Sequence, residues 1–223
     1  MARTRSQRNP AIGADALQLF GIVPHDGTSP LRIADTQIIA LRELAAIVRH
    51  VHFERADATS DAIAEHRRVV EEGFHSHVVI PAPFGTIFKS RDSLLHWMEL
   101  HYVTLVDAVA FLTDRLMARV HVEPQSVSTS ESESREVRGA DFESTVFDSF
   151  RFLKRSAVTC VTFAPENHAH GRRSAEASFL VERDRWTEFT NAVGEERRRL
   201  PELSIEESGP WPPYDFVRLQ FGA

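Results

Sequence analysis

Along the first half of the chain, the apolar positions alternate between short runs and helical spacing. Four short, largely apolar runs, each bounded by proline, glycine or polar residues, predict strands at residues 17–23, 36–40, 44–48 and 78–80. The alanines of the third run also suit a helix. Ile63, Val69, Val70 and Phe74 form one helical stripe, which predicts one helix between the third and fourth runs.

A longer helical stripe follows Ser90, a residue type that often caps a helix N-terminus. Apolar residues recur at intervals of three and four from Leu94 to Leu116. This pattern predicts one helix of about 25 residues, which would be about 37 Å long at 1.5 Å per residue. We expect this helix to cover the N-terminal sheet and to continue towards the second half of the chain.

From Ala118 onward, the predicted order of elements is β-α-β-β-α-β. Strands are predicted at 118–123, 158–163, 175–181 and 203–206. Helices are predicted at 142–153 and after Asp184, which is the expected N-cap of the second helix. This is the element order of the ferredoxin-like fold, in which two helices cover one face of a four-stranded antiparallel sheet. The sequence therefore predicts an α+β protein of two domains, at 15–116 and 117–223, with the second domain ferredoxin-like.

Two segments lack the apolar residues that a core requires. Residues 1–14 are polar and basic, and no apolar stretch typical of a secretory signal follows them. Residues 125–140 are rich in serine and glutamate. We predict a disordered lead-in for the first segment and a mobile loop for the second.

The most distinctive stretch of the chain is the octapeptide Gly209-Pro210-Trp211-Pro212-Pro213-Tyr214-Asp215-Phe216. Its three prolines fix φ and remove three backbone donors, which excludes the interior of a helix or of a central strand. The octapeptide is either a tail packed onto the domain over residues 209–217 or an exposed proline-rich ligand for another domain. A tryptophan and a tyrosine placed between prolines favour the packed tail, because both rings bury large areas.

Charge and composition argue against several classes of function. The net charge of −6, with no basic face beyond the N-terminus, argues against binding to nucleic acid. Cys160 is the only cysteine, which excludes an intramolecular disulfide and favours the cytoplasm. No stretch approaches the ~20 apolar residues of a membrane span.

The sequence also lacks the spacings that carry common chemistry. None of the eleven histidines has an HExxH-type spacing or a suitably placed carboxylate for a metal site. No GxSxG elbow and no glycine-rich phosphate loop is present. Cys160 lies in an apolar predicted strand, where a thiol is less reactive. We therefore predict no catalytic residue, no metal and no cofactor.

The octapeptide resembles the C-terminal signature of the GvpF/GvpL family of gas vesicle accessory proteins, which end in Gly-Pro-Trp-Pro-Pro-Tyr-x-Phe. A second similarity lies at Ile80–Phe88, where the family usually reads Pro-Leu-Arg-Phe-Gly-Thr-Val-Phe. The resemblance extends over residues 17–217. Pro83 stands where the family usually has arginine, so a binding role of that arginine does not carry over to this chain.

The resemblance implies a non-enzymatic role in gas vesicle assembly, in the cytoplasm and in association with the vesicles. Members of the family contact the small hydrophobic shell protein and associate with other gas vesicle accessory proteins. A shell subunit before assembly exposes apolar surface, and a binder that covers this surface prevents aggregation. The candidate partner-contact residues are the signature residues Phe84, Gly85, Thr86, Phe88, Gly209, Pro210, Trp211, Pro212, Pro213 and Tyr214.

The alternative is a ligand-binding or nucleotide-binding ferredoxin-like domain, since such sheets carry many unrelated activities. In this interpretation, the loop Phe84-Gly85-Thr86 offers backbone N–H groups to an anion. Ser90, at the N-terminus of the following helix, places the positive end of a helix dipole nearby. The missing glycine and lysine residues of a phosphate loop make this alternative the weaker one.

Overall fold

A computed structural model describes residues 15–27, 31–53, 57–125, 135–167 and 173–217. The predicted lead-in at 1–14 and residues 126–134 of the predicted loop lie outside the described residues. The described part of the chain forms two five-stranded antiparallel sheets and five α-helices. A mixed fold of helices and antiparallel strands, as expected from the alternating patterns, is therefore confirmed.

The first sheet consists of five strands, namely β1 (Asp15–Pro24), β2 (Gln37–Leu41), β3 (Leu44–His52), β4 (Ile80–Pro81) and β5 (Ile87–Phe88). Their order is β2-β3-β1-β4, and β5 pairs with the start of β1. The run at 44–48, which suited a helix or a strand, is a strand. It pairs on one side with β2 and on the other with β1, and its residues are buried on both faces.

Three helices cover both faces of this sheet, namely α1 (Ser60–Ser76), α2 (Arg91–Leu100) and α3 (Tyr102–Leu112). Helix α1 packs on one face through Val69 and Val70. Helices α2 and α3 pack on the other face through Leu94, Met98 and Leu105. Since helices cover both faces, the central strands β1 and β3 are apolar almost throughout instead of alternating.

The single long helix predicted from Ser90 to about Leu116 is wrong. His101 adopts a non-helical backbone (φ −102°, ψ 10°) that ends α2 and begins α3. Asp114, at φ 56°, follows the end of α3, and Leu116 belongs to the next strand. Hydrophobic periodicity misses the break at His101 because the residues before and after it still face the same sheet.

The second half of the chain contributes the strands β6 (Arg115–Pro124), β7 (Thr159–Thr162), β8 (Glu166–Asn167), β9 (Arg173–Glu182) and β10 (Leu203–Trp211), and the helices α4 (Arg135–Leu153) and α5 (Trp186–Arg199). The strand order of this sheet is β10-β6-β9-β7, and β8 pairs with β9. Asp184 does not cap α5, because residues 183–185 form a 3-10 turn before the helix. Every strand pair is antiparallel.

Helix α4 begins at Arg135, so the prediction of a loop over 125–140 is wrong for residues 135–140. Arginine, glutamate and alanine in this stretch are good helix formers. The stretch also directly precedes the packed part of α4, whose side chains Phe142, Val146 and Phe150 are buried. A low apolar content therefore excluded a core here but did not exclude the first turns of a helix.

The two helices α4 and α5 pack on one face of the second sheet around three aromatic rings. The Phe179 ring of β9 lies 6.0 Å from that of Phe150 on α4 and 5.2 Å from that of Phe189 on α5. The neighbouring residue Leu180 is fully buried and joins the apolar cluster that holds α2 and α3. The opposite face of the second sheet therefore contacts the first half of the chain.

Candidate partner-binding surfaces

The loop between β4 and β5 contains Phe84, Gly85 and Thr86 and forms a tight turn. The backbone N–H and the hydroxyl of Thr86 both donate to the carbonyl oxygen of Pro83, at 3.2 and 2.8 Å. Gly85 lies at φ 80°, a conformation that favours glycine. The Thr86 carbonyl accepts a hydrogen bond from the Leu19 N–H at 2.9 Å, which ties the loop to β1. The turn is thus held by contacts within the fold.

One N–H donor of this loop and two at the start of α2 are already engaged within the fold. The Thr86 N–H already bonds to Pro83. At the start of α2, the Ser93 N–H donates to Ser90 Oγ at 3.2 Å, and the Ser90 N–H donates to Ser93 Oγ at 3.1 Å. Ser90 is therefore the N-cap, as predicted, within a reciprocal capping box. This geometry gives no support to a phosphate site.

Phe84 packs against the buried side chain of His66 on α1. The His66 ring stacks on Phe20 with centroids 5.0 Å apart and meets the Phe84 ring edge-on at 5.7 Å. His66 Nε2 donates to the Ala82 carbonyl oxygen at 2.9 Å, and burial lowers the pKa of His66 below its ordinary value. The only sequence signal for this buried position is its place in the apolar stripe of α1, four residues before Val70.

We expect the free energy of unfolding to fall as the pH drops below about 6.5, the ordinary pKa of histidine. In that range the unfolded chain binds a proton at His66, whereas the folded chain binds it only at lower pH. Acid therefore favours the unfolded state, by at most about 1.4 kcal/mol per pH unit. Urea unfolding measures this change. Between about pH 7.5 and about pH 5.5, the free energy of unfolding should fall less for His66→Gln than for the unmodified protein. Equal losses would contradict this role of His66.

Phe88 lies half-buried in β5, where it pairs with Leu17 of β1. Its ring centroid is 5.6 Å from that of Trp97 on α2. The Trp97 ring in turn lies 5.1 Å from the ring of His101, at the break between α2 and α3. Phe88 therefore supports the junction of these two helices.

Strand β10 continues into the octapeptide as an edge strand of the second sheet. The pairing with β6 is irregular after Ser208 and resumes at Trp211, which lies opposite Met117. Gly209 lies at φ 137°, and a Cβ atom there would lie 2.8 Å from the Met117 carbonyl oxygen. Pro210 is exposed. Its missing N–H is tolerated because proline is compatible with the edge of a sheet.

Beyond β10, the octapeptide crosses from the second sheet to the first half of the chain. Pro212 and Pro213 are buried. Tyr214 packs with Phe74 in the apolar cluster under α1, and Phe216 packs in the cluster that holds α2 and α3. Burial, together with the nearby Glu71 carboxylate, raises the pKa of the Tyr214 phenol. These contacts place most of the signature in packing between the halves.

Asp215 fixes this crossing by two hydrogen bonds to the second sheet. Its Oδ2 accepts from Arg119 Nη2 on β6 at 2.7 Å and from Ser178 Oγ on β9 at 2.6 Å. Arg119 also forms an ion pair with Glu176 at 3.4 Å. No local sequence pattern singles out Asp215, because its partners lie 96 and 37 residues away along the chain.

Three octapeptide residues also line a groove of about 280 Å³ between α1 and the second sheet. The groove is lined by aromatic and aliphatic side chains with charges of both signs, from Glu71, Phe74, His75, Leu116, Arg183, Pro210, Trp211 and Pro212. Its volume falls just below the roughly 300–1,000 Å³ of typical small-molecule pockets. It suits a single protruding side chain of a partner better than a nucleotide.

Several large apolar side chains are exposed elsewhere, and three of them lie on the outer side of α2 and α3. Leu100 is 70% exposed, Val103 71% and Phe111 38%. Ala110 is exposed beside them, and Asp107, the only charged residue of α3, is exposed on the same face between Val103 and Ala110. We call Leu100, Val103, Ala110 and Phe111 the α2–α3 apolar face. Its sequence signal is that α3 is apolar almost all round, which is unusual for a helix with one solvated side.

The described residues contain no group of three or more histidine, cysteine or carboxylate side chains that is able to hold a metal ion. Cys160 is half-buried in β7, and burial raises the pKa of its thiol. Among the same residues, no helix is both long enough and apolar enough to span a membrane.

Comparisons with known protein sequences match most of the length of this chain. The family model described as "Gas vesicle synthesis protein GvpL/GvpF" matches residues 16–145 and 143–218. Gas vesicle protein F1 of Halobacterium salinarum is 23% identical over 185 residues, covering 82% of this chain and 81% of that protein. Gas vesicle protein F of Haloferax mediterranei is 25% identical over 187 residues, covering 82% and 81%. The similarity thus extends well beyond the octapeptide.

Two crystal structures share the fold. That of the gas vesicle protein GvpF from Anabaena sp. aligns with a TM-score of 0.74 at 17% identity, covering 92% of this chain and 99% of the other. That of GvpF from Microcystis aeruginosa aligns with a TM-score of 0.69 at 15% identity, with coverages of 92% and 99%. At these identities the likeness establishes the arrangement of the sheets and helices.

Proposed function

Because this chain belongs to the GvpL/GvpF family of gas vesicle synthesis proteins, we propose that it is a non-enzymatic accessory protein of gas vesicle assembly. It binds the small hydrophobic shell protein and other accessory proteins of the vesicle. It acts in the cytoplasm, in association with gas vesicles. The observation that carries the proposal is the α2–α3 apolar face, to which we assign the shell protein.

The α2–α3 apolar face has the properties that a binder of an aggregation-prone subunit requires. Leu100 and Val103 are each about 70% exposed, and neither contributes to an apolar cluster of the fold. Clustered exposed apolar side chains commonly mark a protein contact, and only the Asp107 carboxylate interrupts them on α3. Full burial of such a side chain contributes about 1.5–3 kcal/mol. If a partner with an exposed apolar helix packs on this face, the apolar side chains of both proteins are removed from water, which stabilises the complex.

The signature residues support this function in a different way. Phe84, Gly85 and Thr86 shape the turn before α2, and Phe88 contacts Trp97 within it. They therefore help to position the helices that carry the apolar face. For Gly209 to Tyr214, we propose a packing role, with the groove beside Trp211 available to a side chain of another accessory protein.

We further propose that the chain divides into two units, at 15–116 and 117–223, and that the second is ferredoxin-like. The element order β6-α4-β7-β9-α5-β10 and the antiparallel pairing support this proposal. The shell protein is then assigned to the first unit, since α2 and α3 both lie within it. Each sheet keeps its own helices, which supports the division.

Affinity capture after co-expression with the shell protein tests the assignment. We expect Val103→Asp to reduce the captured shell protein by at least about tenfold, because it places a charge in the apolar contact. Phe147→Asp is the matched control. Phe147 is 59% exposed on α4, away from the proposed contact, so capture should be unchanged.

Thermal unfolding of both variants separates binding from folding, since both positions are exposed and should tolerate the change. Normal capture by a folded Val103→Asp variant would remove the α2–α3 apolar face from the proposal. If the unmodified protein did not capture the shell protein, the shell protein would have to be removed from the proposal as a partner.

A further inference from the structure

The edge of the second sheet formed by β7 lacks the charged side chains that commonly prevent edge strands from pairing. Residues 156–165 carry no charge, and five of them are threonine, valine or phenylalanine. Within the described residues, β7 pairs only with β9. Its residues are half-buried or exposed, and Val158 just before it is 37% exposed. An uncharged edge of this kind favours pairing with another strand.

The opposite edge of the same sheet, β10, shows the protection that β7 lacks. It carries the adjacent carboxylates Glu206 and Glu207, and its pairing with β6 is irregular after Ser208. Pro210 also removes one backbone donor from that edge. Charges, prolines and bulges are the means by which edge strands avoid association. Within this sheet, therefore, the β10 edge is protected, whereas no other described strand pairs with the outer side of β7.

The hydrogen-bond register identifies which groups of β7 are available. The Phe163 N–H donates to the Glu176 carbonyl oxygen of β9 at 3.0 Å. Because backbone groups alternate along an antiparallel strand, Val161 and Thr159 also direct theirs towards β9. The alternation ends at Val158, whose N–H likewise donates to β9, to the Leu180 carbonyl oxygen at 2.8 Å. The N–H and C=O groups of Cys160 and Thr162 then point away from the sheet, to the open side.

We propose that β7 pairs antiparallel with β7 of a second copy of this chain, with Val161 on the two-fold axis. This register forms two hydrogen-bonded pairs, each between Cys160 of one copy and Thr162 of the other. It also places the two Val161 side chains opposite each other, and Thr159 opposite Phe163. Pairs of β-branched residues with one another or with aromatic residues favour cross-strand contact. The proposal does not depend on the proposed function.

Charge complementarity at the ends of β7 favours a second copy over an unrelated strand. The basic residues Lys154 and Arg155 precede β7, and the acidic Glu166 follows it. In an antiparallel pair, the beginning of one strand lies beside the end of the other. The basic end of each copy therefore lies near the acidic end of its neighbour, twice in one dimer.

A contact that uses the same edge in both copies closes on itself, so the assembly stops at two chains. Mass measurement by light scattering during size-exclusion chromatography, over a range of concentrations, tests this. The expected mass rises from the 25.2 kDa of one chain towards twice that value and no further. A single monomeric species up to about 1 mM, the weak end of measured association, would overturn the proposal.

Thr162→Pro removes the outward N–H without breaking a hydrogen bond to β9. Two intermolecular hydrogen bonds are lost per dimer, so dimerisation should weaken by at least about tenfold. Thr162→Lys, which places like charges at the contact, should have the same effect if the proline variant fails to fold. Glu206→Lys on β10 is the control and should dimerise normally. A folded Thr162 variant that dimerises normally, or growth beyond two chains, would overturn the proposal.

Discussion

Replacing Gly209 with alanine is expected to lower the free energy of unfolding by about 2–4 kcal/mol. Gly209 lies at φ 137°, a backbone conformation that is essentially restricted to glycine. An added Cβ would also lie 2.8 Å from the Met117 carbonyl oxygen and 3.2 Å from the Trp186 ring. The carbonyl belongs to a central strand of the second sheet and has little freedom to move. Urea unfolding followed by circular dichroism measures the change.

Gly194→Ala is the matched control for this prediction. Gly194 lies inside α5, and the nearest atom to an added Cβ is Arg198 Nη1, at 3.8 Å. Alanine has the higher helix propensity, so this variant should gain about 0.5–1 kcal/mol. If both variants unfolded at the same urea concentration, the special conformation of Gly209 would have no bearing on stability.

Replacing Asp215 with alanine is expected to cost about 2–4 kcal/mol of unfolding free energy. The change leaves the fully buried Ser178 hydroxyl and the half-buried Arg119 guanidinium without the carboxylate that now accepts from both. A double-mutant cycle with Ser178→Ala measures the coupling directly. We expect the double variant to lose clearly less unfolding free energy than the sum of the two single variants, because both substitutions remove the same hydrogen bond.

The control for Asp215 is Glu188→Ala, which removes another carboxylate–arginine pair. Glu188 bonds to Arg185 at 2.9 and 2.6 Å on an exposed surface of α5. Solvent screens such pairs, so the unfolding midpoint should stay nearly unchanged. A loss as large as that of Asp215→Ala would show that burial is not what makes the Asp215 contact important. Strictly additive losses in the double-mutant cycle would contradict the shared hydrogen bond.

The strand and helix patterns of the sequence predicted most of the described elements, because each buries an apolar face against the sheet beside it. Local patterns failed where a single backbone angle decided the outcome. The break at His101 leaves the apolar stripe intact, and the positive φ of Asp114 ends the helical region with no change in composition. The start of α4 at Arg135 followed helix propensity and not apolar content.

The candidate surfaces were harder to predict, for two physical reasons. The contact between Asp215 and Ser178 joins residues 37 positions apart, and no local pattern specifies such a pairing. The α2–α3 apolar face was hidden because Leu100, Val103 and Phe111 resemble core residues in any measure of hydrophobicity. Only the packing of α3 against its sheet shows which of its apolar residues are left outside.

The crossing of residues 212–216 from the second sheet to the first half also has a consequence for folding during synthesis. The last strand of the first sheet ends at Phe88, so that sheet can leave the ribosome before Tyr214 and Phe216 are synthesised, whereas β10 of the second sheet is contiguous with the segment. Domains generally fold as units in the order of their synthesis. Until the segment emerges, the apolar pockets that Tyr214 and Phe216 fill remain open to other proteins. The packing of Tyr214 and Phe216 onto the first half is therefore completed last, together with the pairing of β10 at the edge of the second sheet.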